Sequence, residues 1–154
     1  MVDSITRVVI LGSLPGEVSL SRAEYYAHSR NQFWRLIQAA SGQDLPERYE
    51  DRLRWLKALG VGLWDTVKSA RRVGSLDTAI RDHQANPLPD FIASLPALQA
   101  VAFNGGKAAK LGRAQLAADA AVKLINLPSS SPAYTMSFER KLERWLQLRD
   151  YLRL

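Results

Sequence analysis

The chain has 154 residues, 47% hydrophobic and 23% charged, with 21 Lys and Arg against 15 Asp and Glu for a formal charge of +6. That length gives one domain, residues 1–154, with room for a real core, and the positive excess favours polyanionic partners through counterion release and steering. The absence of cysteine excludes disulfides, thiolate metal sites, iron–sulfur clusters and a thiol nucleophile, and two histidines, His28 and His83, argue against a histidine-rich metal centre.

The first element is the apolar run Arg7–Leu11, read as a strand. Three more such runs follow, Val61–Trp64, Ala100–Phe103 and Val122–Leu127. Each is nearly continuous rather than alternating, as expected for strands covered on both faces. Helical stripes lie between them. Phe33, Trp34, Ile37 and Ala40 share one face, and Tyr49, Leu53, Leu56 and Leu59 another. Ser75–Thr78 reads as a capped helix start, and Pro89 opens a further helix in its first turn. Phe138, Leu142, Trp145, Leu148 and Leu152 form the stripe of the closing helix.

Strands alternating with helices predict an α/β fold, a three-layer α/β/α sandwich around a short, mostly parallel four-stranded sheet. Right-handed crossovers put the strand C-termini on one edge, where open α/β sheets bind ligands. The polar loops expected there are 12–21, 65–69, 104–107 and 128–134.

Each loop carries chemistry with a structural alternative. Leu11-Gly-Ser-Leu-Pro-Gly16 is either a plain strand-to-helix turn or a loop whose N–H groups approach a base or phosphate. It is neither a Walker loop nor a dinucleotide fingerprint. Tyr25-Tyr-Ala-His-Ser-Arg-Asn-Gln-Phe-Trp34 crowds aromatic and amide groups at a helix entry. Asn31 there is a helix cap, a group facing a nucleotide, or both. Tyr25 and Tyr26 are core or stacking groups, and His28 is a hydrogen-bonded structural imidazole or a general acid.

Asp65 is a cap or a cleft carboxylate. Asn104 is a turn residue before Gly105 or a side chain that pairs with a base edge, and Lys107 is a phosphate contact or a solvated cation. Pro128-Ser-Ser-Ser-Pro132 is a surface turn or a slim loop that meets a DNA backbone. Tyr134 beyond it is a candidate wedge.

These segments together resemble the uracil-DNA glycosylase superfamily, and within it the hypoxanthine-DNA glycosylase branch. The matching pieces are the two segments above, Gly62-Leu-Trp-Asp65, Gly74-Ser-Leu-Asp77, Phe103-Asn-Gly105 and Leu127-Pro-Ser-Ser-Ser-Pro132, in family order over nearly the whole chain. The resemblance implies a monofunctional glycosylase that flips a deaminated base, hypoxanthine and by extension uracil or xanthine, and hydrolyses its N-glycosidic bond. A catalytically weak or inactive DNA-binding relative is the alternative.

The resemblance assigns the catalytic amide to Asn31 and base contacts to Ser13, Leu14, Tyr26 and Asn104. It assigns DNA contacts to Ser129, Ser130 and Ser131, and Lys107 is expected to join them. Leu14 stands where mismatch-specific relatives carry a water-activating asparagine, so strong uracil removal by their mechanism is not expected. Ser29 replaces a proline common in its segment. No cofactor and no metal are expected. The expected partner is DNA carrying deaminated bases, met by a monomer.

No apolar run approaches a membrane span, and the N-terminus lacks the basic-then-apolar layout of a secretory signal. The chain is therefore expected in the cytoplasm, on the nucleoid through DNA binding.

Overall fold

The structure is a computed structural model and describes residues 1–13, 22, 24–65, 67–71, 81–85, 87–116 and 121–154. Its main sheet has four strands, β1 (Val8–Gly12), β2 (Val61–Asp65), β5 (Ala100–Asn104) and β6 (Lys123–Leu127), in the order β2-β1-β5-β6. Every pairing in it is parallel. All four C-termini therefore open on one edge. In the register, Gly12 pairs with Asp65, Leu11 with Phe103 and Asn104 with Leu127.

The continuous apolar runs form strands because side chains alternate between two covered faces. Val8 and Ile10 enter one core while Val9 and Leu11 enter the other. Ala100 and Ala102 divide from Val101 and Phe103 in the same way. The first core is closed by α1 (Phe33–Ser41), α2 (Tyr49–Ala58), α5 (Phe138–Trp145) and the 3-10 turn Leu146–Tyr151. The second lies under α3 (Leu88–Ala93) and α4 (Gly106–Arg113). The three layers of the sandwich follow from this division.

The stripe expected on α1 is the buried one, with Phe33, Ile37 and Ala40 wholly buried. The closing stripe is not one helix: Phe138 and Leu142 are half-buried on α5, Trp145 ends it wholly buried, Leu148 is buried in the 3-10 turn and Leu152 follows that turn. Pro89 sits in the first turn of α3 as expected. No helix among the described residues is long and apolar enough to cross a membrane.

One reading is corrected. Residues 65–69 are not simply a loop: β3 (Val67–Arg71) pairs antiparallel with β4 (Arg81–Ala85) as a two-stranded ribbon outside the main sheet. Its strands, VKSAR and RDHQA, are largely polar and carry no apolar run to announce them. Backbone pairing, with shifts of register along it, defines them. The helix start expected at Ser75–Thr78, and the Gly74–Asp77 segment, lie outside the described residues.

Candidate active site

The C-terminal edge is assembled from the ends of β1, β2, β5 and β6. Gly12 ends β1 beside Asp65. A Cβ at position 12 would stand 3.1 Å from Asp65 Oδ1 and 3.7 Å from Tyr26 Oη. The missing side chain therefore lets the carboxylate and the phenol settle together over the strand end. Ser13, the next residue, is buried there. Leu14 lies outside the described residues.

Tyr26 is held in an unusual backbone state. Its φ of 53° is the one positive value at a non-glycine residue among the described residues. Such a conformation costs on the order of 1–3 kcal/mol. Part of that is offset by its ring, which stacks on Phe33 with centroids 4.0 Å apart and planes at 20°, a contact worth about 1 kcal/mol beyond area burial. Tyr25 lies beside Tyr26, its N–H donating to Tyr49 Oη at 2.9 Å. Burial, then the Asp65 carboxylate, then Tyr49, push the Tyr25 phenol up to about 12, so it stays neutral at ordinary pH.

A cleft of about 400 Å3 opens along this segment, lined by Tyr25, Tyr26, His28, Asn31, Trp34 and Arg52 among others. Asn31 is fixed at both ends of its residue. Its N–H donates to the His28 carbonyl at 2.9 Å, and its Oδ1 accepts from the Phe33 N–H at 3.0 Å. The amide oxygen thus serves the first turn of α1, whose first N–H groups have no partner within the helix. The Nδ2 group, a donor of two hydrogens, makes no hydrogen bond among the described residues. His28 is exposed, and its Nδ1 accepts from the Arg30 N–H at 3.1 Å, which makes it part of the turn that carries Asn31. Capping and lining the cleft are therefore not alternatives for Asn31, since the one residue does both.

The serine loop after β6 is tied down from three sides. Asn104, 7% exposed, donates from Nδ2 to Ser130 Oγ at 3.0 Å and accepts from the Ser130 N–H at 2.9 Å. The Ser130 carbonyl accepts from the Gln32 N–H at 3.0 Å. Pro128's carbonyl accepts from Trp145 Nε1 at 2.9 Å. Gly105 makes room for this packing: its φ is 100°, and a Cβ there would lie 3.1 Å from Ser129 Cβ.

The structure thus brings Asn31 and Tyr26 into one cleft and joins Asn31's neighbour directly to Ser130. Asn104 reaches the same edge with its oxygen and one amide hydrogen committed to Ser130. Ser129 and Ser131 flank that bond, half-buried, and Lys107 sits half-buried in the first turn of α4 beyond Gly105. Two groups escaped the sequence reading. Lys141 is buried beneath the serine loop, and its position at helical spacing from Trp145 was the available signal. The Gln32 main chain, which joins the two segments, has no side-chain signature at all.

Comparison with known proteins agrees in extent and kind. Residues 2–153 match the family model described as the uracil DNA glycosylase superfamily. A hypoxanthine DNA glycosylase of Methanosarcina barkeri is 37% identical over 96% of this chain and 92% of its own length. Another of that description, from Methanosarcina acetivorans, is 35% identical over 94% and 91%. Among solved structures, a candidate uracil DNA glycosylase from Methanosarcina acetivorans superposes with a TM-score of 0.83. It is 34% identical over 97% of this chain and 93% of that one.

Proposed function

The chain belongs to the uracil DNA glycosylase superfamily and is a DNA glycosylase, and on that premise we propose that it removes hypoxanthine from DNA, leaving an abasic site. The observation that carries the site assignment is the link between the Asn31 turn and the serine loop through Gln32 and Ser130. It sets a cleft amide beside a loop suited to a DNA backbone. The names of the two archaeal relatives support hypoxanthine as the base.

A base stacked in a duplex is out of reach, so it must turn outward, at a cost of a few kcal/mol that is smaller for a mispaired base. Tyr26 then stacks on the purine. The C1′–N9 bond breaks ahead of attack, its electron pair leaving with the base while positive charge builds on the sugar. The Asn31 Nδ2 group orients the water whose oxygen bonds to C1′, and the proton that water loses ends on the departing base or in solvent. An amide cannot take that proton, so its part is orientation and charge stabilisation. Ser13, buried at the end of β1, lines the side of the departing base. Asn104 keeps one Nδ2 hydrogen for a base edge, and Ser129, Ser131 and Lys107 meet phosphates. No covalent enzyme intermediate is needed, so the enzyme is monofunctional and does not cut the strand itself.

The test is excision from duplexes containing inosine, deoxyuridine or deoxyxanthosine, followed by alkali. Strand breaks at inosine are expected, with uracil and xanthine ranking the specificity. Intact inosine strands at enzyme excess would sink the reading.

A further inference from the structure

Lys141 is 1% exposed, on the inner face of α5. Its Nζ donates to the Ser131 carbonyl at 3.2 Å and lies 5.6 Å from the centroid of the Tyr134 ring. Among the described residues no carboxylate lies within ion-pair distance of it. Its sequence neighbours Glu139 and Glu143 are both exposed. Burial alone lowers the ammonium's pKa from its ordinary value.

A buried ammonium without a counter-charge is expensive. If the loop needed only a strut, a neutral donor would serve the Ser131 carbonyl at lower cost. The charge is therefore the feature that calls for a role. It stands behind residues 129–131, where Ser130 is buried and Ser129 and Ser131 are half-buried, their hydroxyls accepting from the Ser131 and Ala133 N–H groups at 3.1 and 3.2 Å. Screening by salt is weaker for such a partly enclosed charge than for a surface lysine.

We propose that Lys141 is a positioning residue for a DNA phosphate: it holds the Ser129–Ser131 loop through the Ser131 carbonyl, and its charge is balanced by a backbone phosphodiester seated on that loop. This rests on the glycosylase reading above. Lys141 does not touch the base or the sugar bond. Its effect is on the grip of the duplex rather than on the chemical step, with Tyr134, 45% exposed, covering its solvent side.

The experiment uses the full chain and a duplex carrying a tetrahydrofuran abasic analogue, with Lys141→Gln and Lys141→Arg beside the native protein. Lys141→Gln keeps a donor for the Ser131 carbonyl and removes the charge. It should raise Kd about tenfold at 0.1 M salt and make the log–log salt dependence shallower by about 0.9, the share of one phosphate. The single-turnover excision rate at saturating enzyme should stay within about threefold of native. Lys141→Arg should restore the salt slope. Duplexes with single methylphosphonate linkages near the lesion complete the cycle: at one linkage the difference between native protein and Lys141→Gln should vanish.

A salt slope unchanged in Lys141→Gln, with no linkage that abolishes the difference, overturns the proposal and leaves Lys141 a strut. If the variant does not fold, the 15Nζ resonance of Lys141 in the native protein gives the answer. It should shift on adding the abasic duplex, and no shift overturns the proposal. Native protein that neither cuts the inosine duplex nor binds the analogue would instead fail the glycosylase reading itself, a result readily told apart from failure at Lys141 alone.

Discussion

The Gln32 N–H donates to the Ser130 carbonyl at 3.0 Å, and this bond joins the turn that carries Asn31 to the loop that follows β6. Gln32 precedes the first residue of α1, so its N–H is a donor the helix cannot satisfy internally. Ser130 in turn is gripped by Asn104 at the end of β5. One chain of hydrogen bonds thus runs from the third strand of the sheet, through the serine loop, to the catalytic candidate. Displacement of any member is passed to the next.

Asn31 offers a separation of its two roles. Asn31→Asp keeps an oxygen for the Phe33 N–H and loses the Nδ2 donor. It should melt within a few degrees of the native protein while single-turnover excision of hypoxanthine falls about 100- to 1,000-fold, the scale for loss of one preorganised donor. Asn31→Ala should lose as much activity and also about 1 kcal/mol of stability with the cap. Native rates in Asn31→Asp would remove Asn31 from the chemistry.

Asn104 and Ser130 should behave as a coupled pair. Asn104→Ala leaves a buried Ser130 N–H without its acceptor, a loss of about 1–3 kcal/mol. Ser130→Ala takes the acceptor from Asn104 Nδ2 but keeps the Ser130 N–H bond to Asn104 Oδ1, a loss of about 1 kcal/mol. Urea denaturation of both single variants and the double variant should give a coupling energy on the order of 1 kcal/mol. Simple additivity would mean that the two side chains act independently.

Gly105 and Gly106 provide a matched comparison. Gly105 has a φ of 100° and its Cβ position is 3.1 Å from Ser129, whereas a Cβ on Gly106 meets nothing within 4 Å. Gly105→Ala should destabilise by about 1–3 kcal/mol and weaken binding to an abasic-analogue duplex, because the strain is relieved by moving the serine loop. Gly106→Ala, in the first turn of α4, should be neutral or stabilising by under about 1 kcal/mol. Thermal melts and duplex titration of the two variants check both halves.

The Tyr25 phenol sets a limit at alkaline pH. Its pKa is pushed from 10.0 to about 12 in the folded protein, by burial first. Between those values the folded chain keeps a proton that the unfolded chain has released. Stability then falls as pH rises, and the contribution present below pH 10 is lost as pH passes about 12. Tyr25→Phe should leave stability at pH 8 nearly unchanged and make the decline above pH 10 shallower. Urea midpoints of both proteins from pH 8 to 11 measure the difference, which cancels the other groups titrating there.

The four main strands and the face of α1 were legible in the sequence because burial on both sides demands unbroken apolar runs such as Val8–Leu11, and a packed helix demands a stripe such as Phe33, Ile37 and Ala40. Those demands are local, and so the residues record them. The edge on which the polar loops gather also followed, since parallel strands must end together. Family likeness, carried by the Asn31 and serine-loop segments, named the chemistry.

What the chain could not announce depends on partners far away in sequence. The ribbon of β3 and β4 rests on main-chain pairing between polar strands, which leaves no periodicity to read. Asn104 looked equally like a turn residue and a base reader until the register of β5 with β6 put it against Ser130, 26 residues on. Lys141, which no motif singled out, is enclosed only by the packing of α5. Side-chain type and spacing fix what a segment buries, whereas which buried polar group meets which is decided only when separate segments close on one another.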